Sequence, residues 1–261
     1  MSKICPLFSG SDGNSTLISS GGTNILVDTG VSFKRLKAAL EENGFAPSDI
    51  SAVFVTHEHT DHISGLKAFL KNTNALLCGS ADTLNTLIKK GVVPEGALAE
   101  TVEGQKTIHN INVSRFATSH DCLGSSGYVI ETSDGKKAAV CTDLGYISEE
   151  VKASLIGCDT VLIESNHDVT MLQKGPYPPQ LKMRILSDKG HISNNTCAAI
   201  LPELLKSGTK RIILGHISKN NNIPMLALNT ARGSLLSIGA KENEDYILCA
   251  AKPQDNGVIF F

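Results

Sequence analysis

The sequence predicts one domain of mixed α and β structure, and three observations carry that prediction. A chain of 261 residues can bury a large core yet sits at the upper end of single-domain size. Short apolar runs of strand character alternate with segments of helical spacing along the whole length. No linker, low-complexity tract or close internal repeat interrupts the alternation, so residues 1–261 are expected to form one domain.

Taken in order, the first polar break is Ser9-Gly-Ser-Asp-Gly-Asn-Ser15. Its glycines and short polar side chains predict a tight loop, either an ordinary turn between strands or one whose backbone N–H groups approach an anionic oxygen. Ile25-Leu-Val27 reads as a strand that delivers Asp28 at its end. Phe33, Leu36 and Leu40 keep helical spacing, so a helix is predicted from Ser32 to Asn43, stopped by Gly44. Ile50-Ser-Ala-Val-Phe-Val55 reads as a buried strand, followed by a helix carrying Leu66, Phe69 and Leu70. Ser80 to Lys90, ended by Gly91, is a further helix. Asp134-Gly135, between Tyr128-Val-Ile-Glu131 and Ala138-Ala-Val140, predicts a hairpin because glycine tolerates the positive φ of a tight turn. Ser148 to Leu155 and Asn195 to Lys206 add two helices, and Thr160-Val-Leu-Ile163 and Ile212-Ile-Leu214 two strands. Asp143 and His216 follow such runs, as Asp28 does, and so emerge at strand ends.

The chemistry concentrates in Thr56-His57-Glu58-His59-Thr60-Asp61-His62, three histidines and two acids directly after a strand. On an extended chain His57 and His59 share a face, while Asp61 and His62 follow where the chain turns into a helix. Two pairs facing two directions suit two metals, and imidazole with carboxylate accepts Zn, Mn, Fe or Co. A solvated turn with a helix cap at Thr60 or Asp61 is the alternative, but histidines at this density have little use as a cap.

His-x-His-x-Asp-His after an apolar strand resembles the signature of the metallo-β-lactamase superfamily, and other segments match its remaining motifs in order along nearly the whole chain. The resemblance implies an α+β fold, the four-layer αββα sandwich, and an acid, Asp28, that supports the metal loop from behind. It also implies that His57, His59 and His120 hold one divalent ion, that Asp61, His62 and His216 hold another, and that Asp143 bridges the two. His109 matches no motif and is expected to be an ordinary surface or edge-strand histidine.

Three further segments, Ser9 to Ser15, Glu164-Ser-Asn-His-Asp168 and Gly190-His-Ile-Ser-Asn194, together with His216-Ile-Ser218, resemble the YycJ/WalJ group of bacterial proteins. That resemblance implies a metal-dependent phosphodiesterase, a 5′-to-3′ exonuclease on double-stranded DNA working with Mn or Zn. A thioesterase or lactonase of the same superfamily, or a ribonuclease, would use the same centre. Asp61 is expected to orient the attacking water as well as to bind metal. His191, beside Gly190 and a helix start capped by Ser193 or Asn194, is the candidate donor to the leaving oxygen, with a purely local capping role as the alternative. Glu164, Asn166, His167 and Asp168 are expected to orient ligands or to face the substrate, with His167 not a direct ligand.

Charge gives little support to a nucleic-acid partner. At a formal net charge of −2 and pI near 6.4, contact with DNA has to come from a local patch. The stretch Lys174 to Lys189 is the candidate, with four cations, one acid and Tyr177, the alternative being a solvated helix face; Lys219 and Asn220 to Asn222 are candidates at the rim. No apolar stretch approaches the length of a membrane span or an export signal. Seven cysteines without regular spacing read as reduced thiols, which places the expected protein in the cytoplasm. Cys78, Cys141, Cys158 and Cys249 look like core, and Cys122 is not expected to bind metal because the His/Asp set is already complete.

Overall fold

The computed structural model describes residues 1–261. Its strands, in chain order, are β1 (Lys3–Phe8), β2 (Ser15–Ser20), β3 (Thr23–Val27), β4 (Ile50–Phe54), β5 (Leu76–Gly79), β6 (Ala99–Thr101), β7 (Gln105–Ile108), β8 (Ile111–Ala117), β9 (Ser126–Glu131), β10 (Lys137–Cys141), β11 (Thr160–Glu164), β12 (Arg211–Gly215), β13 (Ile247–Ala250) and β14 (Ile259–Phe260). They form two seven-stranded sheets, ordered β14-β1-β2-β3-β4-β5-β6 and β13-β12-β11-β10-β9-β8-β7. Each is mixed. In the first, β3 to β6 run parallel and β1 to β3 antiparallel; in the second, β10 to β13 run parallel and β7 to β10 antiparallel.

The parallel strands are the ones whose sequences are continuous apolar runs, such as Ala52-Val-Phe54, Val161-Leu-Ile163 and Ile212-Ile-Leu214, because both of their faces are covered. Three separate cores show how. Ile18, Ile25, Phe54, Tyr128, Ile130 and Leu162 pack between the sheets. Leu26 and Val53, on the other face of the first sheet, meet Leu36, Leu40, Leu66 and Phe69 from helices. Val161, Ile212 and Leu214 of the second sheet meet Val151, Leu201, Leu204 and Leu235. Helix, sheet, sheet and helix are thus stacked as the expected αββα sandwich.

The predicted elements are present with small shifts. Helices span Phe33–Glu42, Ala81–Lys89, Glu149–Leu155 and Asn194–Lys206, capped by Ser32, Ser80, Ser148 and Ser193. The helix after the histidine cluster is broken into Thr60–Ile63 and Leu66–Asn72, and His59 rather than Thr60 or Asp61 takes the cap position, without a side-chain bond. The Asp134-Gly135 hairpin joins β9 to β10 with Gly135 at φ 74°. His109 sits at φ 49° between β7 and β8, an edge hairpin away from the histidine cluster. All seven cysteines are free; Cys78, Cys141 and Cys158 are buried, but Cys249 is half-buried because β13 is an edge strand. No helix is long and apolar enough to cross a membrane.

What positions the site is strand direction. Asp28, the His57–His62 loop, His120, Asp143, Glu164 and His216 all lie at or just beyond the carboxyl ends of β3, β4, β8, β10, β11 and β12. Carboxyl ends of parallel strands in two packed sheets open onto one common crevice.

Candidate metal centre

Three residues of the crevice carry backbone strain. Asp28, Asp143 and His216 sit at φ 64°, 60° and 51°, in the left-handed region that costs a non-glycine residue about 1–3 kcal/mol. Neighbouring contacts fix two of them directly. The Asp28 N–H donates to Phe54 O at 2.8 Å, and the His216 N–H donates to Ser9 Oγ at 2.9 Å. The His216 carbonyl accepts from Asn166 Nδ2 at 3.0 Å. The result turns each side chain sharply out of its strand toward the centre.

The second device is a partner behind each imidazole. His62 Nδ1 bonds Asp28 Oδ2 at 2.8 Å, and the same carboxylate accepts from the Thr56 N–H and hydroxyl, each at 2.8 Å. Thr56 Oγ1 also lies 3.0 Å from His57 Nδ1. His216 Nδ1 bonds Glu164 Oε1 at 2.7 Å, and His120 Nδ1 bonds the Gly190 carbonyl at 3.2 Å. These contacts fix the tautomers so that Nε2 of His57, His62, His120 and His216 faces inward. His59 is reversed: its Nδ1 is 3.3 Å from His120 Nε2, and its Nε2 is 3.4 Å from Asp121 Oδ1.

The inward atoms fall into sets that can hold cations. His57, His59 and His120 form one set and Asp61, His62 and His216 another, with ligand atoms within 4.8 Å of one another in each; Asp143 joins His57 and His62 in a third that spans them. Asp143 Oδ2 lies 3.2 Å from His62 Nε2, and its Oδ1 lies 3.3 Å from His216 Nδ1. Buried yet without a hydrogen-bond partner are His57 Nε2, His216 Nε2 and Asp143 Oδ2. Unpaired buried polar atoms are rare and costly, and each of these three belongs to a candidate donor set, which fits resident cations.

The electrostatics agree. Burial resists charge on every group here, yet His216 and His62 hold Asp143 well below the ordinary carboxylate range. The neighbouring His216 and His62 imidazoles overcome burial at Asp61 and hold it low as well. His62 is held well above the usual imidazole value against burial by Asp143 and Asp28, and His216 is raised to about 10 by Asp143, Asp61 and Glu164. His57, with burial and three neighbouring histidines against its proton, is pushed well down and stays neutral. Ionised carboxylates paired with imidazoles that seek positive charge are the donor set for divalent ions.

Glu164 is close enough to be a ligand, with Asp143, His191 and His216. Its oxygens are already engaged: Oε1 accepts from His216 and from His191 Nδ1 at 2.9 Å, and Oε2 from the Ile192 and Leu144 N–H groups at 3.1 and 3.3 Å. Glu164 therefore orients two histidines. His191 is thereby placed beside the centre, its Nδ1 3.6 Å from Asp143 Oδ1, in a cleft of about 230 Å³ that also exposes Asp61, His59, Tyr177 and Arg184. Gly190 makes this possible, because a Cβ there would lie 2.2 Å from the Ile185 carbonyl.

Other expectations sort less evenly. His167 is buried with neither ring nitrogen paired and lies outside every ligand set. Asp168 joins no ligand set and caps the helix Val169–Lys174, accepting from the Met171 N–H at 2.8 Å. Glu58, one of the two acids in the cluster, joins no ligand set. Cys122 is half-buried and joins no ligand set, and burial pushes its thiol up to about 12. In the basic stretch, Lys182 donates to the Gln173 and Gly175 carbonyls and Arg184 bonds Asp121, so only Lys174 and Lys189 retain no salt bridge or side-chain hydrogen bond.

Sequence reasoning missed Asn14, Asp121 and the pairing of Arg184. The Ser9–Ser15 segment is a turn between β1 and β2, but it also supports the centre: Asn14 Nδ2 lies 3.1 Å from His62 Nε2, and its N–H donates to the Asp61 carbonyl at 2.8 Å. Gly30 admits this close packing, since a Cβ on it would lie 1.7 Å from that carbonyl. Asp121, adjacent to His120 in sequence, is clamped by Arg184 Nε at 2.6 Å and stands behind His59. Replacing Asp121 by asparagine is expected to weaken metal binding about 10- to 100-fold, the usual cost of losing an orienting partner. Titration of chelator-stripped protein with Zn or Mn measures it, and unchanged affinity would show that Asp121 is a surface ion pair only.

A profile of the metallo-beta-lactamase superfamily matches residues 9–216, which brackets all seven candidate donors. The chain is 37% identical over 229 residues to Exodeoxyribonuclease WalJ of Streptococcus pneumoniae, covering 86% of this chain and 85% of that protein. It is 34% identical over 223 residues to Exodeoxyribonuclease YycJ of Bacillus anthracis, covering 85% and 84%. Among solved structures, the metallo-beta-lactamase fold protein YhfI from Bacillus subtilis superposes with a TM-score of 0.72 over 100% of both chains at 16% identity, a likeness of fold alone. By its profile match, its relatives and its four-layer architecture, the chain belongs to the metallo-beta-lactamase superfamily.

Proposed function

We propose that this protein is a metal-dependent exonuclease that digests double-stranded DNA in the 5′-to-3′ direction, with two divalent ions, Mn or Zn, held by His57, His59, Asp61, His62, His120, Asp143 and His216. The observation that carries the reading is the Glu164–His191 pair beside the donor set, in a chain similar over 86% of its length to a protein named as an exodeoxyribonuclease. A thioesterase needs the donors but expels a thiolate, which leaves without protonation, whereas an alkoxide leaving group from a nucleotide needs a proton.

Bound in this centre, divalent ions supply a lowered water pKa and positive charge opposite the phosphoryl oxygens. The protein does the rest. Asp61, the donor carboxylate open to the cleft, accepts a hydrogen bond from the attacking water and orients it. Asp143, buried between the two sets, fixes their separation. His191, whose Nδ1 proton is held by Glu164, presents Nε2 to the cleft and gives a proton to the leaving oxygen. Glu164 supports the positive charge of the doubly protonated ring before transfer, and donation from Nε2 leaves the ring neutral with its Nδ1 proton still hydrogen-bonded to Glu164.

Digestion of end-labelled duplex and single-stranded DNA and RNA, with Mn and Zn side by side, tests the proposal. Progressive shortening of 5′-phosphorylated duplex is the expected result. Intact nucleic acid together with thioester hydrolysis by the same preparation would replace it with the small-molecule reading.

A further inference from the structure

The cleft does not end at the donor set. Ser11 and Ser218 line it and also line a second hollow of about 470 Å³ on the side of the Ser9–Asn14 turn. The floor of that hollow is apolar, with Phe8, Val31 and Ile217, while its rim carries Arg35 and Lys219. The Arg35 guanidinium lies over the Phe8 ring at 4.9 Å and donates to Gln254 Oε1 at 3.3 Å. It makes no salt bridge. Lys219 has one charged partner, Asp12, at 3.7 Å, with both side chains more than two-thirds exposed. Asp12 is the only carboxylate lining the hollow.

From this geometry we infer that the hollow is a nucleotide subsite: it receives the nucleotide flanking the scissile phosphate, its base or sugar on the apolar floor and its outer phosphate at Arg35 and Lys219. The inference rests on the nuclease reading above. Three features support it together. The hollow is continuous with the centre through two shared serines, so a strand whose phosphate lies at the donor set enters it without crossing protein. Its apolar floor under a cationic rim is the complement of a nucleotide, whereas a free phosphate has no use for such a floor. An exposed Lys–Asp pair contributes little to stability, so a phosphate displaces Asp12 from Lys219 at small cost. The patch also answers the charge problem, since a protein of net charge −2 needs its cations gathered on the substrate path.

The test is anisotropy of a fluorescent duplex with phosphorothioate terminal linkages, titrated with the metal-loaded full-length protein at several salt concentrations. Arg35→Ala and Lys219→Ala are each expected to reduce the slope of log K against log salt by about 0.7 to 0.9, the loss of one phosphate contact. Asp12→Ala, which removes a competitor for Lys219, is expected to tighten binding several-fold, and Lys71→Ala, on a different groove, to leave it unchanged. Thymidine 5′-monophosphate is expected to displace the duplex at lower concentration than inorganic phosphate. Wild-type slopes in both cation variants, or equal competition by the two small molecules, would overturn the subsite while leaving the nuclease reading intact. A wild-type protein that binds no duplex at all would overturn both.

Discussion

Asp61→Ala is expected to abolish cleavage of duplex DNA while the protein remains folded. The Asp61 side chain is 26% exposed, and its removal empties no core. What it leaves behind is the second donor set without its own carboxylate: Oδ2 stands 3.5 Å from His62 Nε2 and 3.8 Å from His216 Nε2. The structural work of this residue is done by its backbone, since its carbonyl accepts the Asn14 N–H, and alanine keeps that bond. The rate is expected to fall at least about a thousandfold, ~4 kcal/mol of lost transition-state stabilisation. Metal content is expected to fall with it, and the thermal midpoint of the chelator-stripped protein to stay within a few degrees of wild type. Full activity in this variant, or in metal-stripped wild type, would remove the metal-dependent mechanism.

His191→Ala is expected to lower kcat about 100- to 10,000-fold with metal content intact, the range for losing a general acid. The ring is 17% exposed and opens on the cleft, whereas the ligand histidines His57 and His62 have no exposure at all. A ligand role and a proton-donor role make different predictions for two substrates. A diester with a p-nitrophenolate leaving group needs no protonation, so the variant should lose less than about tenfold on it; equal losses on both substrates would make His191 a metal ligand or a positioning residue. Burial works against a proton on this ring, and Glu164 overcomes it and holds its pKa above the usual value. Glu164→Gln removes that support, so it is expected to shift the alkaline limb of the pH–rate profile downward, a change that a merely structural role would not produce.

Much of this site was legible because its residues are local or end a strand. His57, His59, Asp61 and His62 lie within six positions, and Asp28, Asp143 and His216 each follow an apolar run whose β character is plain. Their order supported the seven-donor set, and the structure brings all seven together. The same local logic placed helix starts at Ser32, Ser80 and Ser148, which the structure uses as caps, and left the last cap between Ser193 and Asn194, of which the structure uses Ser193. A local role also sits inside one suggestive motif: Asp168, in a segment of apparent functional character, caps the helix that follows it.

Ligand type and strand character are properties of neighbouring residues, so the chemistry, a clustered imidazole and carboxylate donor set at strand ends, is readable from residue order alone. Which atom of each donor faces inward depends instead on contacts between segments far apart in the chain. Asp28 reaches His62 across 34 positions, Glu164 reaches His216 across 52, and Ser9 fixes the His216 backbone across 207. Arg184 clamps Asp121, and the hollow between Ser11 and Ser218 opens, only once the two sheets are packed with their carboxyl ends together. Such contacts depend on strand order and sheet packing, which no local pattern of residues encodes.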